Sequence, residues 1–216
     1  MNKDTTANPL EVGNDENERQ ALEECVKRQR LDRRVSVLVI PAGHCEVAVK
    51  FARLGAHVTA ADEAALHRDI TGRVLAAGFS DDIGFAAASL GNLPEELPEE
   101  PYDIIFVRHG LCNMPYDEAR TVIRSLLLRL KIGGKLYVSI LGLHSELGEG
   151  YADHIQPIDQ RFTRLAPSLA KKYAIDGPVC LYTERNLFML LLEAGASVLR
   201  TLTTTYGNVK GVGVRV

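Results

Sequence analysis

Several features that would assign this chain to a membrane or secreted class are missing from its sequence. No apolar run approaches the roughly 20 residues that a membrane-spanning helix needs. The opening stretch, MNKDTTANPLEVGNDENE, is polar and lacks the apolar core of a signal peptide. We therefore expect a cytoplasmic protein with no membrane partner.

The sequence also has little that points to metal or nucleic-acid chemistry. The cysteines, Cys25, Cys45, Cys112 and Cys180, show no CxxC or other metal-ligand spacing, so they are expected to be reduced thiols and no metal site is predicted. The formal net charge is only −3, and this weak charge gives no overall attraction to nucleic acid or to an anionic membrane.

The length and composition are those of one globular domain preceded by a polar N-terminal segment. A chain of 216 residues with 46% hydrophobic and 25% charged residues can bury a sizeable core. Residues 1–34 are predicted to form a disordered tail, up to residue 17, and a short leading helix over 18–31. The main domain is expected over 35–216.

Strand and helix patterns alternate through the first part of this domain. Apolar, β-branched segments predict strands at 35–40, 57–61, 83–87, 102–107 and 135–141. Helices are predicted at 45–54, at 63–77 and from Pro115 to Leu130, the last closed by Gly133-Gly134.

The pattern changes after the fifth strand. Residues 142–181 hold Gly, His, Tyr, Pro and charges, with a possible helix near 158–173, and are predicted to be an insertion. A final helix over 184–194, capped by Thr183, precedes two β segments joined at Gly207-Asn208. That junction predicts a terminal hairpin.

The segment VSVLVIPAGHCEVAVKFARLGAHVTAAD (35–62) is the most informative part of the chain. It predicts a strand, a tight turn, a helix and a second strand that ends on an acid, which is the opening unit of a nucleotide-binding Rossmann-type domain. We therefore predict an α/β fold with a doubly wound, seven-stranded sheet, mostly parallel with an antiparallel C-terminal hairpin strand. Ligands bind at the carboxyl ends of such strands.

This order of elements resembles the class I S-adenosylmethionine-dependent methyltransferases, in particular their small-molecule branch. The resemblance covers roughly residues 35–141 and 182–216. Besides the opening unit, it includes PYDIIFVRHGLCNMP, KIGGKLYVSILG and YTERNLFMLLLEAG…TTTYGNV. It implies S-adenosyl-L-methionine as cofactor, methyl transfer to a small-molecule acceptor, no metal, and an insertion that caps the cleft.

The chain departs from that family's pattern in the first turn. The family usually has an acid in the first strand and a turn of the form GxGxG. Here Val39 takes the place of the acid, Pro41 that of the first glycine and Cys45 that of the third, while Gly43 remains. Proline lacks an N–H donor, and a cysteine adds a Cβ where the helix meets the ligand.

The resemblance nevertheless implies a set of site residues. Asp62 is expected to accept hydrogen bonds from both ribose hydroxyls, and Ser89 stands where the family offers an acid to adenine. The cofactor-binding set is Gly43, His44, Asp62, Ser89, Asn92 and Arg108. Within it, His44 and Arg108 would engage the methionine carboxylate, and Asn92 part of the adenine. The candidate catalytic bases are His109 and His144.

Plainer interpretations of these residues stay open. Asp62 can be a solvated acid at a strand end, Gly43 a turn requirement, and His44 a helix cap. Losing two acidic contacts of about 1.5–3 kcal/mol each would weaken cofactor binding by two to four decades unless other groups substitute.

Three functions therefore compete. The first is a small-molecule methyltransferase, and the second is a catalytically inactive methyltransferase-like binding or scaffold subunit, motivated by PAGHC, Val39 and Ser89. The third is a nicotinamide-dependent oxidoreductase, against which the missing GxGxxG and the terminal hairpin count. A homodimer or a partner subunit is compatible with the first two.

Overall fold

A computed structural model describes residues 15–29 and 34–216. The helices are α1 (Glu16–Gln29), α2 (Glu46–Arg53), α3 (His67–Ala77), α4 (Tyr116–Leu128), α5 (Pro167–Tyr173) and α6 (Glu184–Ala194). The strands are β1 (Ser36–Ile40), β2 (His57–Asp62), β3 (Ile83–Ala87), β4 (Tyr102–Arg108), β5 (Leu130–Ile140), β6 (Thr163–Arg164), β7 (Pro178–Val179), β8 (Ser197–Thr203) and β9 (Val209–Val214). Most of the predicted tail, and the predicted end of the leading helix, fall on residues 1–14 and 30–33, outside the described residues.

The strands form the predicted sheet, in the order β3-β2-β1-β4-β5-β9-β8. Neighbours from β3 to β5 are parallel, whereas β9 pairs antiparallel with both β5 and β8. Every residue of β1 is buried because helices cover both faces of the sheet. Side chains of α1, α2 and α3 pack on one face, and those of α4 and α6 on the other. The α/β, doubly wound prediction is confirmed.

The terminal hairpin is confirmed as well, and its turn packs against the insertion. Gly207 lies in this turn with φ +82°, and a Cβ at that position would lie 2.4 Å from the Ser145 backbone nitrogen. Glycine is therefore required here by both the backbone conformation and the close approach.

Two sequence predictions differ from the structure. Strand β5 begins at Leu130 and contains Gly133-Gly134, because the register with β4 shifts between Tyr102 and Ile104 and absorbs the extra residues. The helix predicted near 158–173 is wrong in extent, since only Pro167–Tyr173 is α-helical. Proline starts this helix because it has no N–H with which to continue an earlier one.

Helix α1 is held across the sheet by polar anchors. Asn17, which is 2% exposed, donates through Nδ2 to the Val138 carbonyl at 2.8 Å. At the other end of α1, Arg28 pairs at 3.3 Å with Asp103, a fully buried acid at the start of β4. The helix therefore runs from the carboxyl-end edge of the sheet to its amino-end edge, which places Asp15 beside the end of β4.

The insertion packs on the turn that follows β4. Cys180 donates its backbone N–H to the Cys112 carbonyl at 2.8 Å, and Tyr151 donates its hydroxyl to the Val179 carbonyl at 2.5 Å. That it caps the cleft stays a prediction. None of the helices described in the structure is long and apolar enough to cross a membrane.

Replacing Thr183 by alanine tests the N-terminal cap of α6. The Thr183 hydroxyl accepts the Asn186 N–H at 3.2 Å, and the Asn186 side chain accepts the Thr183 N–H at 2.9 Å. Thr183→Ala is expected to lower the free energy of unfolding in urea by about 1 kcal/mol. The control Thr121→Ala, in the exposed middle of α4, should leave it unchanged or slightly raised. Equal losses of unfolding free energy in both variants would contradict a stabilising role of the Thr183 cap.

Candidate functional site

The turn after β1 keeps an unusual backbone conformation despite its substitutions. Gly43 has φ +52° and Cys45 has φ +64°, so both lie in the left-handed region. For a cysteine this conformation is uncommon and strained. Burial raises the pKa of the Cys45 thiol, which therefore stays protonated and packs as a small apolar group.

Asp62 fastens this turn to the end of β2. Its Oδ2 accepts the Gly43 N–H and its Oδ1 accepts the Glu63 N–H, each at 2.9 Å. The side chain is well buried, since Asp62 is only 7% exposed. An ionised carboxylate has about four acceptor positions, and these two hydrogen bonds use two of them.

A cavity of about 250 Å³ lies between this turn and the end of β4, and we call it the turn cavity. It brings together four of the predicted residues, which are Gly43, His44, Arg108 and His109. Glu46 also lines it, although the sequence interpretation did not include that residue. The turn cavity therefore carries one carboxylate, one guanidinium and two imidazoles.

Arg108 is already bound within the chain. Its Nη2 contacts Glu18 at 2.8 Å and Asp15 at 3.2 Å, both on or next to the first turn of α1. Its guanidinium also lies 5.5 Å from the centre of the Phe106 ring. The predicted carboxylate receptor is thus held in place by two acids that come from the leading helix.

Asp15 is the centre of this charge cluster. It also binds Lys210 of β9 at 2.5 Å. Burial alone would raise the pKa of Asp15, but the hydrogen bond from Lys210 and the charges of Lys210 and Arg108 outweigh burial and lower it. The acid is therefore ionised at neutral pH.

His109 follows β4 in a left-handed conformation with φ +58°. Its backbone N–H donates to the Ser139 carbonyl at 2.8 Å, which fixes it beside β5. Burial, and after it the charge of Arg108, lowers the pKa of His109 to about 4. The imidazole is therefore neutral at pH 7 and a weak base.

Ser89 and Asn92 lie outside the turn cavity. They pair with each other through their backbones, at 3.4 and 3.0 Å. Leu90 between them is buried against the end of β4, since a Cβ on Gly110 would lie 2.4 Å from Leu90 Cδ1 and 3.2 Å from Pro41 Cδ. The segment after β3 thus closes against the turn after β1.

His144 lines a second cavity of about 280 Å³, which we call the hairpin cavity. This cavity lies between the insertion and the turn of the terminal hairpin, and Tyr173, Thr205 and Tyr206 also line it. The two candidate bases are therefore not brought together, because His109 lines the turn cavity. Both cavities lie at the carboxyl-end edge of the sheet, where β4, β5 and β9 are neighbours.

Sequence reasoning missed Glu46 and the acids of α1 for different reasons. Glu46 directly follows PAGHC, and its position in the first turn of α2 was a usable signal. Asp15 and Glu18 lie 93 and 90 positions from Arg108, so no local pattern links them. Over the parts of the chain described, no three His, Cys, Asp or Glu side chains form a group that could hold a metal ion.

Comparison with known proteins identifies the fold. No family model and no curated protein matches the sequence. The methyltransferase CcbJ from Streptomyces caelestis matches the structure with a TM-score of 0.65 at 15% identity, over 91% of this chain and 89% of that one. The S-adenosylmethionine-dependent methyltransferase SibL, in its apo form, matches with a TM-score of 0.62 at 17% identity, over 91% of this chain and 55% of that one.

A third match holds ligands. The 1,6-didemethyltoxoflavin-N1-methyltransferase from Burkholderia thailandensis, with bound 1,6-didemethyltoxoflavin and S-adenosylhomocysteine, has a TM-score of 0.59 at 17% identity, over 90% of this chain and 78% of that one. Against SibL and five other matching solved structures, this chain spans only 51–56% of their length. The fold is that of the S-adenosylmethionine-dependent methyltransferases, as predicted.

Alanine at Gly43 tests whether the turn requires its left-handed conformation. No atom lies within 4 Å of a Cβ built at Gly43, so the cost is backbone strain, and we expect Gly43→Ala to lower the free energy of unfolding by about 1–2 kcal/mol. Gly72→Ala, equally open but inside helix α3, should raise it by about 0.5–1 kcal/mol. Urea unfolding measures the free energy of unfolding of both variants. Changes of the same sign in Gly43→Ala and Gly72→Ala would argue against a required left-handed conformation at Gly43.

The lowered pKa of His109 predicts a specific dependence of stability on pH. Its folded value of about 4 lies below the ordinary 6.5, so its contribution is complete above pH 6.5 and is lost as the pH falls toward 4. Between about pH 7 and pH 5, wild-type protein should lose more unfolding free energy than His109→Asn, since asparagine tolerates the left-handed backbone and does not titrate. Parallel profiles of the two proteins would show that the surroundings of His109 do not lower its pKa.

Proposed function

We propose that this chain is an S-adenosylmethionine-dependent methyltransferase that acts on a small molecule. One observation carries the proposal: the turn after β1 keeps left-handed Gly43 and Cys45 and is bound to an acid at the end of β2. A strained non-glycine residue costs about 1–3 kcal/mol and is typical of sites where function needs the geometry. The fold shared with methyltransferases supports the same conclusion.

The polar groups present fit an adenosyl amino acid. Such a ligand carries a ribose diol, a carboxylate and an ammonium group. Asp62 has acceptor positions left for the diol. Among the described residues, Arg108 binds Asp15 and Glu18 through Nη2, so Nη1 can donate to the carboxylate. Ser89 and Asn92, next to this site, remain the proposed adenine contacts.

Methyl transfer requires this chain to orient the acceptor and the cofactor more than to supply reactive side chains. When bound, S-adenosylmethionine supplies a methyl group activated by its sulfonium. The chain must hold the acceptor in line and exclude water. The hairpin cavity offers His144, Thr205 and Tyr206 for an acceptor with hydroxyl or amine groups. His144 is the proposed base there, while neutral His109 acts as a hydrogen-bonding group.

A small acceptor is the substrate class that the site supports. The hairpin cavity has a volume of about 280 Å³, close to the lower end of the range for small-molecule pockets. The net charge gives no general attraction to nucleic acid. A cytoplasmic location, and a homodimer or partner subunit, remain part of the proposal.

The second candidate function is a methyltransferase-like binding or scaffold subunit without catalysis. It is favoured by the internal contacts of the ligand-binding groups, since Asp15 and Glu18 already bind Arg108 and backbone N–H groups already bind Asp62. In such a subunit these contacts would serve stability alone. An oxidoreductase has less support, because β9 runs antiparallel where a dinucleotide dehydrogenase continues its parallel sheet.

Calorimetric titration separates these functions. Folded wild-type protein is expected to bind S-adenosylmethionine and S-adenosylhomocysteine with dissociation constants below about 1 mM, and not to bind NAD. Absence of binding by both sulfur compounds would contradict the methyltransferase and favour the scaffold subunit. Binding of NAD alone would favour the oxidoreductase.

Asp62→Asn tests the ribose contact while keeping an acceptor for the Gly43 N–H. We expect it to weaken binding of S-adenosylhomocysteine and of 5′-methylthioadenosine by at least about tenfold, because both ligands carry the ribose diol. Asp81→Asn removes the same charge at an exposed position outside both cavities and should bind as wild type. Unchanged affinity in Asp62→Asn would assign the acid to the turn alone.

A further inference from the structure

We infer that Glu46 replaces the missing acid of the first strand and binds the ammonium group of the cofactor's amino-acid end. The inference rests on the proposed function and adds a specific contact to it. It follows from what the turn cavity lacks, from where Glu46 lies, and from which charges around it are already paired.

The turn cavity needs an acidic partner that β1 does not provide. Val39 stands where the resemblance places an acid; it lines this cavity and is 2% exposed. An ammonium group donates hydrogen bonds and accepts none, so a valine side chain cannot bind it. An ammonium group that leaves water loses its hydration, and binding is weakened unless the cavity supplies hydrogen-bond acceptors and an opposite charge in its place. A carboxylate in the same cavity would supply both an acceptor and the opposite charge.

Glu46 is placed to be that acceptor. It lines the turn cavity with Val39 and occupies the first turn of α2, directly after Cys45. Buried Val47 and Phe51 fix the rotation of α2 against the sheet, and so determine which side of the cavity Glu46 lines. The positive end of the helix dipole favours an ionised carboxylate at this position.

The carboxylate of Glu46 is not used elsewhere within the described residues. It makes no hydrogen bond or ion pair with any of them. Glu46 also lines a neighbouring cavity with Lys50 and Arg73. Arg73 feels the charge of Glu46 but is bound to Asp69 at 2.8 Å, and Lys50 is bound to Glu18. Glu46 is therefore available to a ligand.

The other charge in the cavity does not need Glu46 either. Arg108 is compensated by Asp15 and Glu18 from α1. The turn cavity thus presents one carboxylate without a partner among residues 15–29 and 34–216, beside a guanidinium whose charge is balanced. This arrangement is complementary to a zwitterion, with Glu46 toward its ammonium and Arg108 toward its carboxylate.

The test compares ligands that differ only at the amino-acid end. Calorimetry on the full chain would use S-adenosylhomocysteine, 5′-methylthioadenosine, which lacks that end, and a deaminated S-adenosylhomocysteine, which keeps the carboxylate. Glu46→Gln should bind S-adenosylhomocysteine at least about tenfold more weakly than wild type. It should bind the other two ligands as wild type does, or the deaminated one more tightly.

Glu63→Gln is the matched control, since Glu63 is an exposed glutamate beside Asp62 that does not line the turn cavity. It should leave all three affinities unchanged. Glu46 is exposed, so the thermal midpoint of Glu46→Gln should stay close to that of wild type, which confirms folding.

Two results would overturn the inference while leaving the proposed function intact. One is wild-type affinity of Glu46→Gln for S-adenosylhomocysteine, and the other is an equal loss for all three ligands. A wild-type protein that binds none of the three would instead overturn the proposed function, and the inference with it.

Discussion

The hydrogen bond between the Gly43 N–H and the Asp62 carboxylate is the contact on which the geometry of the site depends. β1 and β2 are parallel neighbours, with Val39 opposite Ala60, so their carboxyl ends reach the same edge of the sheet. Asp62 joins these two ends at 2.9 Å. The joined turn then sets where α2 begins, and with it the wall of the turn cavity that Glu46 contributes.

The leading helix contributes charge to the site and does more than pack against the sheet. Its anchors, Asn17 at one end and Arg28 at the other, hold it across β4 and β5. They bring Asp15 and Glu18 to Arg108, where burial strengthens the interaction between opposite charges. A small net charge for the whole chain is thus compatible with a concentrated ion cluster at one edge of the sheet.

Local sequence signals predicted most elements and failed where pairing or packing overrode them. The apolar run of β1 and the cap of α6 were correct because each depends on neighbours along the chain. Gly133-Gly134 looked like a helix end with a strand to follow, yet it lies inside β5, because β5 pairs with β4 on both sides of it and a register shift absorbs the extra residues. The helix expected near 158–173 is shorter, because Thr163–Arg164 pair with β7 and Pro167 starts the helix after them.

The sequence by itself determined where the strands of the sheet lie along the chain, that a turn follows β1 and that an acid ends β2. It could do so because hydrophobic period, turn chemistry and spacing are local properties. Only the tertiary structure decided that Cys45 adopts a glycine-like conformation, that His109 and His144 line different cavities, and that Arg108 meets acids from α1. These outcomes depend on contacts between segments far apart in the chain, whose energies exceed local preference only once the sheet has assembled.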